Sequence, residues 1–585
     1  MKNADLEPTR HSLAHLLAAA VLELYPDTKS TIGPAIDNGF YYDFDFATPI
    51  TDKDLPRLEK KMRELLPSWK EFSHQEVSPQ EAKAANAGNE YKAELIDEIA
   101  AKGETLTLYT CGDFTDLCRG GHVESPAKDI PEDSFKLSHI AGAYWRGDEK
   151  NKMLTRIYGL AFASKEELDA YEAQQEEAKK RDHKKLGKEL GLFTFSETVG
   201  KGLPLWTSKG ATIRRELERF IVDEEIKRGY LHVRTPDIAR LDLYKKSGHY
   251  PYYKDSMYAP IKIDEDEFML RPMTCPHHFE LYLSEPHSYK DLPMRIAELA
   301  QLYRYEQSGE LSGLQRVRTF CLADAHIVCA NEEQAMQEIG GALDLIEYIT
   351  GILGLTHGTE YWYRLSLGDR ESPDKYYKND AAWEKGETLL RELLEKRGAI
   401  FVEAPNEAAF YGPKIDIQMR NVNGKEDTAF TVQYDFCMPE RFKLVYVDAD
   451  GKEKQAFVVH RSSIGAIERI FAFMIEHYAG AFPVWLSPIQ VSTLPISDKH
   501  KEYALEIVTA LKQANVRAEL DDSNETLGKK IRAWKMSKTP YALVIGDEEV
   551  GSKTLSVEKR DGTKEKMSQE EFVKKITSEI ASRSL

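Results

Sequence analysis

The stretch FCLADAHIVC, residues 320–329, constrains the fold more tightly than any other part of the chain. Read with period two, it puts Phe320, Leu322, Asp324, His326 and Val328 on one face of a strand. A strand that buries a carboxylate and an imidazole side by side must supply them with partners, because an unpaired buried charge is costly. One solution is a hydrogen-bonded core histidine beside a structural ion pair. The other is a site in which a bound group completes both side chains.

Related runs, AFTVQYDF (429–436) and QAFVVHRSS (455–463), are broken by long polar loops, so residues 191–485 read as an antiparallel sheet with flanking helices. Residues 1–163 mix helix and strand signals. Between them, 164–190 is charged and free of proline, and its Glu/Lys pairs at i,i+4 predict one exposed connecting helix. Residues 486–585 alternate IQVSTLPI, KHKEYALEIVTALKQA, VRAELDD, LGKKIRAWKMSK and YALVIGD, a strand–helix–strand–helix–strand order that predicts a small α/β domain. The whole is a multidomain α+β chain, and 585 residues suffice for three or four domains.

Composition narrows the setting. No apolar run approaches a membrane span. SLAHLLAAAVLEL (12–24) holds His15 and Glu23 and follows acidic residues, so it reads as a helix of the mature protein and not as a signal peptide. Six scattered cysteines without a CxxC pair point to reduced thiols and a cytoplasmic setting. Net charge is −18, yet residues 486–585 carry 17 Lys and Arg against 16 Asp and Glu. A near-neutral tail with a basic cluster (Lys529, Lys530, Arg532, Lys535, Lys538) on an acidic body suits docking of one specific polyanion.

His326 has two prospective companions, Cys275 in RPMTCPHH and His460 in FVVHRSS. A Cys and two His from three elements, 51 and 134 positions apart, would, if they converge, form a three-ligand zinc set with an open fourth position, the arrangement of catalytic or substrate-binding zinc. Arg304 and Glu306 are expected on one strand face, Arg316 and Arg318 on the returning strand, and Arg469 near the start of the helix GAIERIFAF. Arginines from separate elements around one cleft suit a triphosphate, because each guanidinium can fork onto phosphate oxygens. No Walker loop and no GxGxxG is present. Near the start, HSLAH puts His11 and His15 on one helix face, and DLCRGGH puts Cys118 and His122 four apart, two pairs of N/S groups with metal-site spacing. Either pair alone also reads as helix-face histidines with a buried thiol.

Arg304-x-Glu306 and Gly465…Glu468-Arg469 resemble motifs 2 and 3 of class II aminoacyl-tRNA synthetases, and TPDIARLDLYKKSGHYPYYKDSMY, with Pro236, resembles motif 1. MTCPHH, ADAHIVC and VVHRSSIGAIER together resemble the bacterial-type threonyl-tRNA synthetases, over essentially the whole chain. The resemblance implies a class II antiparallel-sheet catalytic core at 191–485, an α+β editing domain at 1–163 and an α/β anticodon-binding domain at 486–585. It implies activation of L-threonine by ATP with magnesium, and transfer to threonine tRNA. Arg304 would hold the α-phosphate, with Arg316 another catalytic residue of the same cleft; Arg469 and Phe320 would sandwich the adenine; Glu306 would read its amino group. One zinc per chain on Cys275, His326 and His460 would take the amino group and hydroxyl of threonine, with Asp324 accepting the hydroxyl proton and Tyr411, Lys414 and Gln433 lining the pocket. Such a metal rejects valine, which an apolar pocket separates from threonine by only ~10²-fold.

Serine, which keeps the hydroxyl, calls for a second check. IGPAIDNGFYYDFD and the His/Cys pairs resemble the family's editing domain, which implies that His11, His15, Tyr42, Lys92, Asp116, Cys118 and His122 hydrolyse seryl-tRNA. SNETLGKKIR resembles the anticodon-reading pattern, implying Asn524, Arg532 and Glu549 as base readers. Motif 1 implies a homodimer. Against the family pattern, the sequence begins almost at the editing domain, so the usual ubiquitin-like domain is expected to be absent, and Gly121 and Glu558 stand where proline and arginine are common. A prolyl or seryl synthetase does not need the Cys275, His326 and His460 set, and a catalytically dead tRNA- or mRNA-binding relative would have lost motif arginines or zinc ligands, none of which is missing here.

Overall fold

The computed structural model describes residues 6–372 and 375–585 and divides into two compact units, with the division after Glu176. The first unit is built around the helix Glu7–Leu24, which starts with Pro8 in its first turn and buries every residue from Ser12 to Val21. A helix apolar nearly all round must be covered on all sides. An antiparallel sheet covers it, in the order Lys29–Ser30, Gly39–Asp45, Met153–Ala161, Phe135–Tyr144, with Ala35–Ile36 paired to Gly39–Asp45. Phe40, Tyr42 and Phe44 fill the core between them. A second sheet, Ser73–Glu76, Thr107–Cys111 and Phe114–Leu117, delivers Asp116 and then Cys118.

The second unit holds an eight-stranded sheet in the order Leu231–His232, Met294–Tyr303, Thr319–Cys329, Phe457–Ala466, Glu426–Asp435, Lys414–Arg420, Tyr361–Ser366, Phe401–Ala404. Its six central strands are antiparallel, and the two edge strands pair in parallel. The helices Glu332–Ile352 and Ile467–His477 pack on this sheet in one large core. The last hundred residues form a five-stranded sheet, Ala518–Leu520, Val491–Pro495, Tyr541–Ile545, Thr554–Lys559, Lys564–Ser568, with its own apolar core.

Several expectations change. The charged stretch 164–190 is two helices, Lys165–Arg181 and His183–Glu189. Asp182 breaks it: its carboxylate accepts the N–H groups of Lys184 and Lys185 at 2.7 and 3.2 Å and so caps the second helix. That second helix is not a solvated face, for it buries His183 and Leu186. Arg304, Glu306, Arg316 and Arg318 lie in the loop beyond the strand ends Tyr303 and Thr319 and not on the strands. The loop closes back on itself, with the Arg304 N–H donating to the Arg318 carbonyl at 3.0 Å. Lys530 is not part of a solvent-facing basic cluster. It is buried, and its ammonium donates to the carbonyls of Asp521 and Pro495.

Candidate functional sites

Strand register explains how residues far apart in the chain meet. His326 pairs directly with His460 across two strands, His460 pairs with Gln433 across the next, and Gln433 pairs with Lys414. Asp324 sits opposite Ser462 on the same ladder. Cys275 opens the helix Cys275–Tyr282, with Pro276 in its first turn, and this brings the thiol over the sheet. The donor atoms of Cys275, His326 and His460 all lie within 4.8 Å of one another.

The two imidazoles are held by outer partners that leave opposite nitrogens free. His326 Nδ1 lies 2.8 Å from His278 Nδ1, and His278 Nε2 lies 3.3 Å from Glu298, so His326 keeps Nε2. His460 Nε2 donates to Asp435 at 2.6 Å and keeps Nδ1. Burial, followed by the charges of His460 and His278, pushes His326 well below its ordinary value, and burial pushes the Cys275 thiol well above its own. A buried set of one soft and two borderline donors, each outer nitrogen already engaged, fits a zinc ion that would restore the thiolate. His278, Glu298 and Asp435 were not singled out in the sequence, although MTCPHH and TVQYDF contain two of them.

The same cavity, of about 590 Å³, is lined by all twelve residues proposed for activation and metal binding, Arg304, Glu306, Arg316, Phe320, Asp324, Tyr411, Lys414, Gln433 and Arg469 together with the three metal donors. Tyr411 donates to Gln433 Oε1 at 2.6 Å and stacks on His460. Lys414 pairs with the buried Asp416 at 2.8 Å. Arg316 pairs with Glu306 at 2.8 Å, and the Arg304 guanidinium lies 5.1 Å from the centre of the Phe320 ring. Arg469 is anchored by the carbonyls of Gln315 and Thr428 at 3.1 and 2.5 Å. Burial is the largest influence on Asp324 and pushes its carboxyl upward.

In the first unit the second cluster also assembles. His11 Nε2 lies 3.2 Å from His15 Nε2, and Cys118 Sγ lies 3.4 Å from both His11 Nε2 and His122 Nε2. Behind it, Asp116 is buried between Tyr42, whose hydroxyl donates at 2.7 Å, and the Lys92 ammonium at 2.5 Å. His15 Nδ1 lies 3.2 Å from the same carboxylate, near enough for an ion pair but not aligned as a hydrogen bond. Burial alone would raise the Cys118 thiol, but hydrogen bonds from His11, His122 and His15 outweigh it and hold it at about 4. Burial likewise opposes a charged His15, and Asp116 and Cys118 outweigh it and lift the imidazole to about 9. All seven residues expected at this site therefore meet. The cluster sets a thiol pulled toward its anion and an imidazole pulled toward its cation beside a buried carboxylate bridged by Lys92, equipment for moving protons.

Of the three prospective base readers, Asn524 and Arg532 are exposed. Glu549 is buried: one oxygen caps its own helix through the Gly546 N–H at 2.8 Å, and the other accepts the Ser556 hydroxyl at 2.6 Å. Glu558 is also buried, beside Lys564 at 3.3 Å.

Comparison with known proteins adds family evidence. Residues 258–478 match the tRNA synthetase class II core domain (G, H, P, S and T), 490–579 an anticodon binding domain, and 106–158 the threonyl and alanyl tRNA synthetase second additional domain. The chain is 49% identical over 579 residues to the threonine–tRNA ligase of Anoxybacillus flavithermus, covering 98% of this chain and 89% of that one. It is 48% identical to that of Staphylococcus carnosus, with 98% and 88% covered. Among solved structures, the RNA binding domain of threonyl-tRNA synthetase from Cryptosporidium parvum superposes with a TM-score of 0.64 at 36% identity, covering 68% of this chain and 98% of that one.

Proposed function

The chain belongs to the threonyl-tRNA synthetases of class II, and from that premise we infer how its two clusters share the work. The enzyme activates L-threonine with ATP, transfers the threonyl group to the 3′ end of threonine tRNA and hydrolyses mischarged seryl-tRNA. We assign activation to the large cavity of the second unit, where the convergence of the twelve residues carries the reading.

Cys275, His326 and His460 would hold zinc, which supplies a Lewis-acidic centre that demands a nitrogen or oxygen from the amino acid. Asp324, on the same strand as His326, accepts the hydroxyl proton of threonine. Tyr411 and Gln433, already hydrogen-bonded to each other, wall the pocket. Arg304 faces the α-phosphate and stabilises the charge that develops on it as the threonine carboxylate attacks and pyrophosphate leaves. Phe320 and Arg469 take the two faces of the adenine, Glu306 accepts from its amino group, and Arg316 holds the outer phosphates together with magnesium.

The cluster of His11, His15, Cys118 and His122, with Tyr42, Lys92 and Asp116 behind it, is our candidate for seryl-tRNA hydrolysis. His122, whose imidazole burial keeps toward the neutral form, takes a proton from a water, and Asp116, itself held by Lys92, keeps His15 in place beside it. We propose 1–163 as the editing domain, 164–190 as the connection, 191–485 as the catalytic domain and 486–585 as the anticodon-binding domain, where Asn524 and Arg532 are better placed to meet bases than Glu549. A homodimer is proposed through the face around Pro236, where Ile238, Ile261 and Ile263 are 45–51% exposed on one small sheet. All six cysteines are unpaired, which supports a reducing, cytoplasmic setting. No helix among the described residues is long and apolar enough to cross a membrane. The decisive experiment is ATP–pyrophosphate exchange across the amino acids, with and without a chelator. Exchange restricted to threonine and, weakly, serine, and lost on chelation, is expected; equal exchange with valine would overturn the assignment of the pocket.

A further inference from the structure

His183 opens the second helix of the charged connecting stretch, yet it is 2% exposed. Both ring nitrogens are engaged. Nδ1 lies 2.7 Å from Glu476 Oε1, and Nε2 accepts the backbone N–H of Leu314 at 3.1 Å. Because Nε2 must accept, the ring is a neutral tautomer whose Nδ1–H donates to Glu476.

These two partners belong to the elements that carry the arginines of the large cavity. Glu476 is on the helix Ile467–His477, which bears Arg469. Leu314 is in the loop that continues through Gln315 to Arg316. Gln315 ties the two together: its side-chain amide donates to Glu476 Oε1 at 3.4 Å, and its carbonyl accepts from Arg469 Nε at 3.1 Å. Gly313 gives independent evidence that the loop is shaped around the ring. Its φ is +49°, and a Cβ there would stand 2.1 Å from His183 Nε2. Only glycine allows both that backbone and that approach.

We propose that His183 is a positioning residue for adenylation. It fixes the 313–316 loop against the Arg469 helix and so holds Arg316 and Arg469 where the nucleotide binds, without touching the nucleotide itself. The proposal rests on the assignment of those two arginines to ATP.

The test uses the full-length enzyme and threonine-dependent ATP–pyrophosphate exchange. His183→Asn keeps an N–H near the Nδ1 position and loses the acceptor for Leu314, whereas His183→Gln can carry an oxygen to the Nε2 position. His183→Asn should raise the KM for ATP about tenfold, the effect of one lost buried hydrogen bond on a preorganised loop. The KM for threonine and the hydrolysis of preformed seryl-tRNA should stay within about twofold of wild type, because neither uses the loop. His183→Gln should recover most of the ATP affinity, and Gly313→Ala should reproduce the asparagine phenotype by displacing the ring. An unchanged KM for ATP in His183→Asn, or an equal decline of all three measurements, would overturn the proposal. Arg469→Ala separates the two layers of the argument. If it leaves the KM for ATP unaltered, the nucleotide assignment fails. If it raises that KM while His183→Asn does not, only the positioning role fails.

Discussion

Replacing Asp435 with asparagine tests the zinc assignment at a residue that does not itself bind metal. Asp435 is fully buried. One carboxylate oxygen accepts the N–H groups of Cys437 and Met438 at 2.8 and 2.9 Å, and the other accepts His460 Nε2–H at 2.6 Å. Asparagine is nearly isosteric. With its carbonyl oxygen kept on the two backbone N–H groups, its NH₂ faces His460 Nε2, and donor meets donor. The imidazole then has to move its proton to Nδ1, the nitrogen left for the metal. Losing such an outer partner typically weakens a metal site ~10–100-fold, equivalent to ~1.4–2.7 kcal/mol. Zinc affinity, measured by competition with a chromophoric chelator, should fall within that range in Asp435→Asn. Threonine-dependent exchange should fall with it and recover in excess zinc, while hydrolysis of preformed seryl-tRNA stays unchanged. A variant that holds zinc as tightly as wild type would refute the argument, since either His460 would not use Nδ1 or the cluster would not hold the metal.

Three further outcomes follow from the other sites. Replacing His11 and His15 together with alanine should abolish clearance of preformed seryl-tRNA and leave threonine activation intact; clearance at the wild-type rate would make these histidines structural. Because hydrogen bonds hold Cys118 at about 4 while burial lifts Cys111 to about 11, alkylation of Cys118 in chelator-treated protein should be nearly independent of pH between about 6 and 9, the thiolate being already formed, and should slow only as pH falls toward 4. A rate that climbs tenfold per pH unit across that range would mean the thiol is protonated. In the C-terminal domain, Arg532→Ala should weaken tRNA binding and reduce its salt slope by about one without altering the melting temperature. Lys530→Ala should instead destabilise the domain by roughly 1–3 kcal/mol, because the buried Pro495 carbonyl and the half-buried Asp521 carbonyl lose their donor, and equal behaviour of the two variants in melting would contradict the burial of Lys530.

What could be read from the sequence, and what could not, follows from the range of each interaction. Period-two apolar runs locate strands because side-chain alternation is local, and the runs containing His326, Gln433 and His460 are all strands of one sheet. Their meeting is not local. His326 faces His460 because of how two strands 134 positions apart pair, and nothing within either strand records that register. Motif resemblance brought the residues together where spacing alone did not. The strand ends at Tyr303 and not at Glu306, although LYRYE keeps its β-forming character past Tyr303, because the ladder to the next strand stops there.

The buried charged residues mark the limit most clearly. Lys530 is one turn from Trp534, which is also buried, so their shared helix face was visible as a pattern. Whether a lysine on such a face reaches solvent or turns inward depends on waiting carbonyls, here those of Pro495 and Asp521 from two other segments. Glu549 is different, because Gly546 and Glu549 stand in the spacing of a helix start, with the acid at the third position bonding back to the first N–H. That signal was present in the sequence and favours a cap over a base reader. His183 combines both cases. Asp182 before it announces a new helix, but the reason to bury an imidazole in a lysine-rich stretch lies 131 and 293 residues away, at Leu314 and Glu476. A local reading makes this segment a solvated tether. Its contacts through His183 brace the loop that carries Arg316, an arginine we propose meets ATP, so substitutions at His183 should register first in ATP affinity.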